Sequence, residues 1–290
     1  MKWPEEVVES IARRRAILFL GSGISANAES ANGEKHPPTW ERFIRTTAKD
    51  IEDEGISSFI NNLLVEKDYL TACEVLFNNL GKDRFERSVR EAFLVPQYKP
   101  HRIHEDIFKL DCRIVITPNV DKIYEVYAQS ETSGAVLVKK YYDSDLISKI
   151  KTDERIILKM HGTLDESSKM IFTRSQYTNA RYEYAMFYRI LEALSLNYVF
   201  VFLGCGVSDP DIQLVLENYS FVFPGSPPHY FITSEEEIHD EYKRIIGENR
   251  NLNIITYSSK NNHKELLDSL HELVDFVEDK RAEIAETMNW

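Results

Sequence analysis

The chain has 290 residues, enough for one large α/β domain or for one plus a smaller insert. Its 43% hydrophobic and 28% charged content is that of an ordinary globular protein, and a formal net charge of −12 argues against non-specific binding to nucleic acid or to an anionic membrane. Three scattered cysteines, Cys73, Cys112 and Cys205, form no CxxC pair, which speaks against a disulfide framework or a cysteine zinc site and suits a reducing cytoplasm. The start "MKWPEEVVES" lacks the pattern of a signal peptide, and no stretch approaches the roughly 20 apolar residues of a membrane span.

In chain order, "AILFL" (16–20) reads as a short buried strand that stops at "GSGIS". From "PPTWERF" to about Leu110 the pattern is helical, clearest in "DYLTACEVLFNNL" and "KDRFERSVREAFL", and predicts a helical insert over 38–110. Strands then follow at "CRIVIT", "AVLVKKYY", "RIILKM", "YVFVFLG", "HYFIT" and "LNIITY". Helical stretches lie between or after them: "NVDKIYEVYAQ", "DPDIQLVLENY", "SEEEIHDEYKRIIG" and "NHKELLDSLHELVDFVEDK". Continuous apolar strands alternating with helices predict a doubly wound α/β domain, its mostly parallel sheet covered on both faces. One such domain spans 1–290, with the helical subdomain inserted between its first and second strands.

Four strand ends carry polar or glycine-rich residues. In "ILFLGSGIS", Gly21 and Gly23 allow a tight turn and close backbone approach to a pyrophosphate; a plain turn is the alternative, since Ala26 replaces the third glycine of a dinucleotide fingerprint. "VFVFLGCGVSDPDIQ" repeats the pattern at Gly204 and Gly206, with Ser208 or Asp209 placed to cap the next helix. "IVITPNVD" ends in Thr117, Asn119 and Asp121, residue types that serve either chemistry or a helix cap. "LKMHG" places His161 after a strand, where an imidazole titrating near neutrality suits a general base, although lone histidines there are more often structural. The pair "HRIH" (101–104) reads as a capping or solvated pair, and the aromatic run "YTNARYEYAMFYRI" as a packed helix face.

Taken in order, these motifs resemble the sirtuin family. "GSGIS" is similar to its Gly-Ala-Gly-x-Ser NAD loop, "TPNVD" to its Thr-Gln-Asn-x-Asp motif, "MHG" to its His-Gly, and "GCGVSDPDI" to its second NAD contact. The likeness covers roughly residues 15 to 260. The four-cysteine zinc module of sirtuin deacylases is missing, and "NGEKHPPTWERF" stands in place of the family's cofactor loop. With "MIFTRSQY", that version resembles the sirtuin-like domains of bacterial anti-phage defence proteins, which hydrolyse NAD.

The resemblance implies a Rossmann-like fold and a metal-free NAD glycohydrolase that depletes NAD+ in the cytoplasm as a defence effector. It also implies a homo-oligomer or a HerA-type ATPase partner. In that reading Asn119 orients the attacking water or the ribose hydroxyls, His161 is the general base, and Asp121 holds their geometry or caps a helix. Gly21, Ser22, Gly23 and Ser25 cradle the pyrophosphate, Gly204, Gly206 and Ser208 line the adenosine side, and Thr117 and Asp209 complete the cofactor set. An NAD sensor or assembly subunit without turnover, and an NAD-dependent deacylase, are the alternatives.

Overall fold

The central apolar runs become strands because both of their faces are covered. The computed structural model describes residues 1–206, 209–213, 216 and 227–288. Its strands are β1 (Ala16–Leu20), β2 (Ile114–Thr117), β3 (Leu137–Lys140), β4 (Ile156–Lys159), β5 (Val199–Leu203), β6 (His229–Ser234) and β7 (Leu252–Tyr257). They form one sheet in the order β3-β4-β2-β1-β5-β6-β7, with every pairing parallel. Along β1, Leu18 and Leu20 enter one core while Ile17 and Phe19 enter the other; Val201 and Leu203 of β5 oppose Phe200 and Phe202 in the same way. A strand buried on both sides has no polar alternation to display.

The helices are α1 (Glu5–Ala12), α2 (Ser22–Ser25), α3 (Trp40–Thr47), α4 (Glu54–Val65), α5 (Tyr69–Leu80), α6 (Lys82–Phe93), α7 (Arg102–Lys109), α8 (Ile123–Glu131), α9 (Leu146–Ile150), α10 (Arg174–Glu183), α11 (Ala185–Asn197), α12 (Asp240–Arg250) and α13 (Lys260–Thr287). One face of the sheet is covered by α1, α7 and α13 through Val7, Ile11, Ile107, Leu270 and Val277. The other is covered by α10 and α11 through Tyr177, Ala180, Phe187 and Leu191. The "HRIH" histidines cap α7: His101 accepts from Ile103 N, and His104 Nδ1 accepts from His101 N at 3.0 Å. Of "DPDIQLVLENY", residues 210–213 are helical, and most of the remainder lies outside the described residues.

Helices α3 to α7 occupy the chain between β1 and β2. The first four share a core of their own around Phe43, Ile60, Leu64, Leu76 and Phe85, which closes on Val120, Leu164, Met170 and Phe172 from the loops after β2 and β4. The insert therefore rests on the carboxyl rim of the sheet. Glu74 of α5 accepts from Ser175 N and Oγ at 2.9 and 3.0 Å, tying it to the start of α10.

The strand order reverses between β1 and β5, and there the two glycine turns meet backbone to backbone. Gly21 N donates to Leu203 O and Gly23 N to Gly204 O, both at 2.9 Å. A Cβ on Gly21 would overlap the Gly204 carbonyl; one on Gly204, whose φ is +66°, would lie 2.6 Å from Ile24 N. Each turn excludes a side chain from the other. Gly204→Ala is expected to lower stability by about 1–3 kcal/mol or more through left-handed strain and overlap. Gly206→Ala, with no described atom within 4 Å of its Cβ, is expected to stay within about 0.5 kcal/mol. Urea unfolding midpoints at unchanged m-value check the pair.

Candidate active site

A parallel sheet delivers the carboxyl ends of all its strands to one rim, and ligands in such folds bind beside the point where strand order reverses. Leu20, Thr117, Lys159 and Leu203 end four adjacent strands on that rim. Thr117 Oγ1 donates to Leu20 O at 2.7 Å and accepts from Asn119 N at 3.1 Å, which turns the chain after β2 back over β1. Asn119 Nδ2 then donates to Gly21 O at 2.9 Å and to Ser25 Oγ at 3.0 Å. Ser25 Oγ donates onward to Asp121 Oδ2 at 2.8 Å, while Asp121 Oδ1 accepts from Ile123 N at 3.1 Å at the start of α8. Asp121 thus ties the network to the first N–H of α8. Gly21 O can only accept, so the Asn119 amide has one orientation. Both of its hydrogens are used, and Oδ1 remains as an acceptor beside the cleft that Asn119 lines.

Behind this network lies a residue that the sequence conceals. Lys159 is 1% exposed, donates through Nζ to Asp121 O and pairs with Glu125 of α8 at 2.8 Å. It fixes the loop carrying Asn119 to the neighbouring strand. A lysine inside an otherwise apolar strand was the available signal.

His161 follows β4. Gly162 takes a left-handed φ of +80° where a Cβ would lie 2.5 Å from Lys169 O, which accounts for the His-Gly pair. The imidazole is 3% exposed, and its Nε2 lies 2.8 Å from Oδ2 of Asp211, a carboxylate 1% exposed. The contact is close, yet neither atom is aligned as a hydrogen bond. Burial pulls the imidazole toward its neutral form, but Asp211, and Asp209 beyond it, outweigh burial, so the pKa of His161 stands above its ordinary value. Tyr177 of α10 packs edge-on at 6.1 Å between ring centroids; burial, then Asp211, push its phenol far up, and it stays protonated. Asp209 caps the turn at 210–213, accepting from Asp211 N at 2.9 Å with Pro210 at the first helical position. Burial first, and then Asp211, push the Asp209 carboxyl up to about 7.

The cleft is lined by Ser22, Ser25, Asn119 and Asp121 and by the apolar Pro38, Trp40, Phe43, Phe93 and Phe172. The segment "NGEKHPPTWERF" thus supplies an aromatic wall. His161 does not line the cleft; Trp40 does, and its ring packs edge-on to the imidazole at 6.3 Å. The structure therefore brings Ser25, Thr117, Asn119 and Asp121 into one network and pairs His161 with Asp211. The amides of Gly21 and Gly23 are already used between the two turns. Gly206 stands in open space among the described residues, and Ser208 lies outside them. Also among the described residues, no three His, Cys, Asp or Glu side chains converge as a metal site, and no helix is long and apolar enough to cross a membrane.

Residues 113–255 match a family model described as a SIR2-like domain. The matched span runs from the start of β2 into β7 and contains Asn119, Asp121, His161 and Asp211. Similar relatives are the NAD(+) hydrolase ThsA of Acinetobacter baumannii (strain 532279), 24% identical over 79% of this chain and 44% of that protein, and the ThsA of Enterococcus faecium, 25% identical over 77% and 44%. Defense-associated sirtuin 2 of Bacillus subtilis is 22% identical over 88% of this chain and 24% of that protein. This SIR2-like chain spans less than half the length of each.

Two predictions test how the SIR2-like site is held. Lys159→Met leaves Glu125 buried without its cation and is expected to cost about 3–5 kcal/mol, most of it recovered in Lys159→Met/Glu125→Leu; denaturant unfolding of the three proteins checks this. Asp209, raised from 3.8 to about 7 in the fold, contributes stability that is full below 3.8 and is lost as pH rises to about 7. The unfolding midpoint of wild type relative to Asp209→Asn, which keeps the cap, is expected to fall across that window.

Proposed function

We propose that this SIR2-like domain hydrolyses NAD+ to nicotinamide and ADP-ribose, in the cytoplasm and as an effector of anti-phage defence. The reading rests first on the Asn119–Ser25–Asp121 network, which presents one oriented amide oxygen to an aromatic-walled cleft at the reversal of strand order. Relatives named as NAD(+) hydrolases support it. The polar and aromatic lining of the cleft suits the nicotinamide riboside end of the substrate. The rest of the dinucleotide would run along the crevice over Gly21 and Gly204.

In the proposed reaction the C1′–N bond of the ribose breaks heterolytically, its electron pair leaves with nicotinamide as a neutral molecule, and water adds to the oxocarbenium ion. Asn119 Oδ1 accepts a hydrogen bond from that water or from a ribose hydroxyl. His161, neutral, takes the released proton, and Asp211 stabilises the imidazolium that results. His161 reaches the substrate only when Trp40 moves from its edge-on position, so opening of the aromatic wall belongs to the cycle. Control by self-association or by a partner, an ATPase of the HerA type among the candidates, would keep such an activity silent in a healthy cell.

That burial of His161 is also the observation favouring the second reading, a domain that binds NAD+ without turnover. Nicotinamide release from NAD+ alone, followed chromatographically, separates the two. Hydrolysis is expected for wild type, with Asn119→Ala and His161→Ala each slower by roughly 10²–10⁴-fold while still folded. Saturable NAD+ binding with no nicotinamide from any of the three supports the binding module instead.

A further inference from the structure

The carboxylate of Asp211 has no structural reason to be where it is. It is 1% exposed, it is followed by the apolar Ile212 and faces the rings of Tyr177 and Tyr188, and among the described residues it has no lysine or arginine partner. Its backbone N–H is already taken by the Asp209 cap, so the side chain does not serve the helix turn. What it meets is His161, a residue 50 positions earlier that arrives from a different strand. Buried polar atoms are normally satisfied, yet both carboxylate oxygens, both imidazole nitrogens and the Tyr177 hydroxyl lack well-formed hydrogen bonds. Such a group of unpartnered titratable side chains is expensive to bury and is concentrated at sites of chemistry.

From this geometry, and resting on the NAD-hydrolysing reading, we infer that Asp211 is the positioning residue for His161: it takes the Nε2 side of the ring and so leaves Nδ1 as the nitrogen that receives the proton. A carboxylate on one imidazole nitrogen fixes the N–H there and sets the tautomer, which puts the lone pair on the other nitrogen. Tyr177, held protonated, stands beside the carboxylate from α10 without a formed hydrogen bond to it. Its place is set by the capping box in which Thr173 Oγ1 accepts from Gln176 N at 3.2 Å and Gln176 Oε1 from Thr173 N at 3.0 Å. The titratable groups facing His161 are Asp211 and Asp209 after β5 and Tyr177 of α10. Tyr188 of α11 stands behind Asp211, and Arg181 stacks against both tyrosine rings at 5.9 Å. The Asp211 carboxylate is the large contribution favouring the imidazolium.

The test is a pH titration of the histidine ring resonances in the whole protein, with His161→Gln identifying the signal by difference. In wild type, His161 is expected to titrate above the ordinary histidine value of 6.5. In Asp211→Asn burial is opposed by Asp209 alone, so the titration moves to lower pH, and Asp211→Glu restores part of the shift. In parallel, the acid limb of kcat/KM for NAD+ moves to lower pH in Asp211→Asn. There kcat falls at least about 10-fold, within the roughly 10²–10⁴ that a positioned base supplies, and KM stays close to wild type because Asp211 does not line the cleft. A wild-type His161 titrating below 6.5, or one unmoved by Asp211→Asn, overturns the inference, and the first of these needs no variant to fold. Absence of nicotinamide release from wild type together with the expected histidine shifts would sink the NAD-hydrolysing reading while leaving the Asp211–His161 pairing intact.

Discussion

The backbone contact between the turns after β1 and β5 is the constraint on which the rest of the molecule depends. Parallel pairing of these central strands brings Gly21 and Gly204 so close that neither accommodates a Cβ, and the reversal of strand order opens a crevice there. Every other strand joins this pair in parallel, so the carboxyl ends of β1, β2, β4 and β5 share one rim. The opposite rim has the complementary polarity. There Arg113 donates through Nη1 to Ile150 O and Thr152 O at 3.0 and 2.6 Å, a cation where α9 ends and carbonyls are left over. Arg113 at that rim thus answers a helix end, whereas Asp209 and Asp211 at the carboxyl rim stand beside a histidine.

Polar burial separates what holds the site from what is poised within it. Thr117, Ser25, Asn119 and Asp121 satisfy one another, which fixes a loop that would otherwise have an ensemble of conformations. Lys159 and Glu125 anchor that loop from below as a buried pair whose value lies in specifying position more than in net stability. His161, Asp211 and Tyr177 are close without being satisfied. Their free hydrogen-bonding capacity is what a satisfied network such as that of Asn119 no longer has.

Sheet and helices were legible in the sequence because burial on both faces erases polar alternation and leaves unbroken apolar runs in the central strands, as in "AILFL" and "VFVFL". The helical character between β1 and β2 was legible from its spacing, but nothing local showed that its Phe43 and Trp40 would wall the rim. Asn119, Ser25 and Asp121 stood in recognisable strings, whereas their mutual hydrogen bonds depend on a loop folding back over β1. Lys159 is one polar residue at the end of an apolar run, and its role follows from Glu125, which arrives from a separate helix. Asp211 was hidden behind Asp209: two acids in "DPD" read as one helix start, although only the first caps it. The glycines of both turns had invited a ligand-based explanation, while the crowding around Gly21 and Gly204 comes from the facing turn itself, mostly its backbone with Cys205 Sγ and Ile24 Cγ1.

The distance along the chain between β1 and β5 has a consequence for synthesis. Close to 180 residues separate the two strands that meet at the switch point, so the central pairing of the sheet is among its least local contacts. A growing polypeptide that has emerged through β4 already contains Ser25, Asn119 and His161, yet it lacks the strand that completes the crevice and the acid that faces the imidazole. Competence therefore arrives late, after more than two thirds of the chain has been made. Chains that stop short of β5 thus lack one wall of the crevice and the acid beside His161.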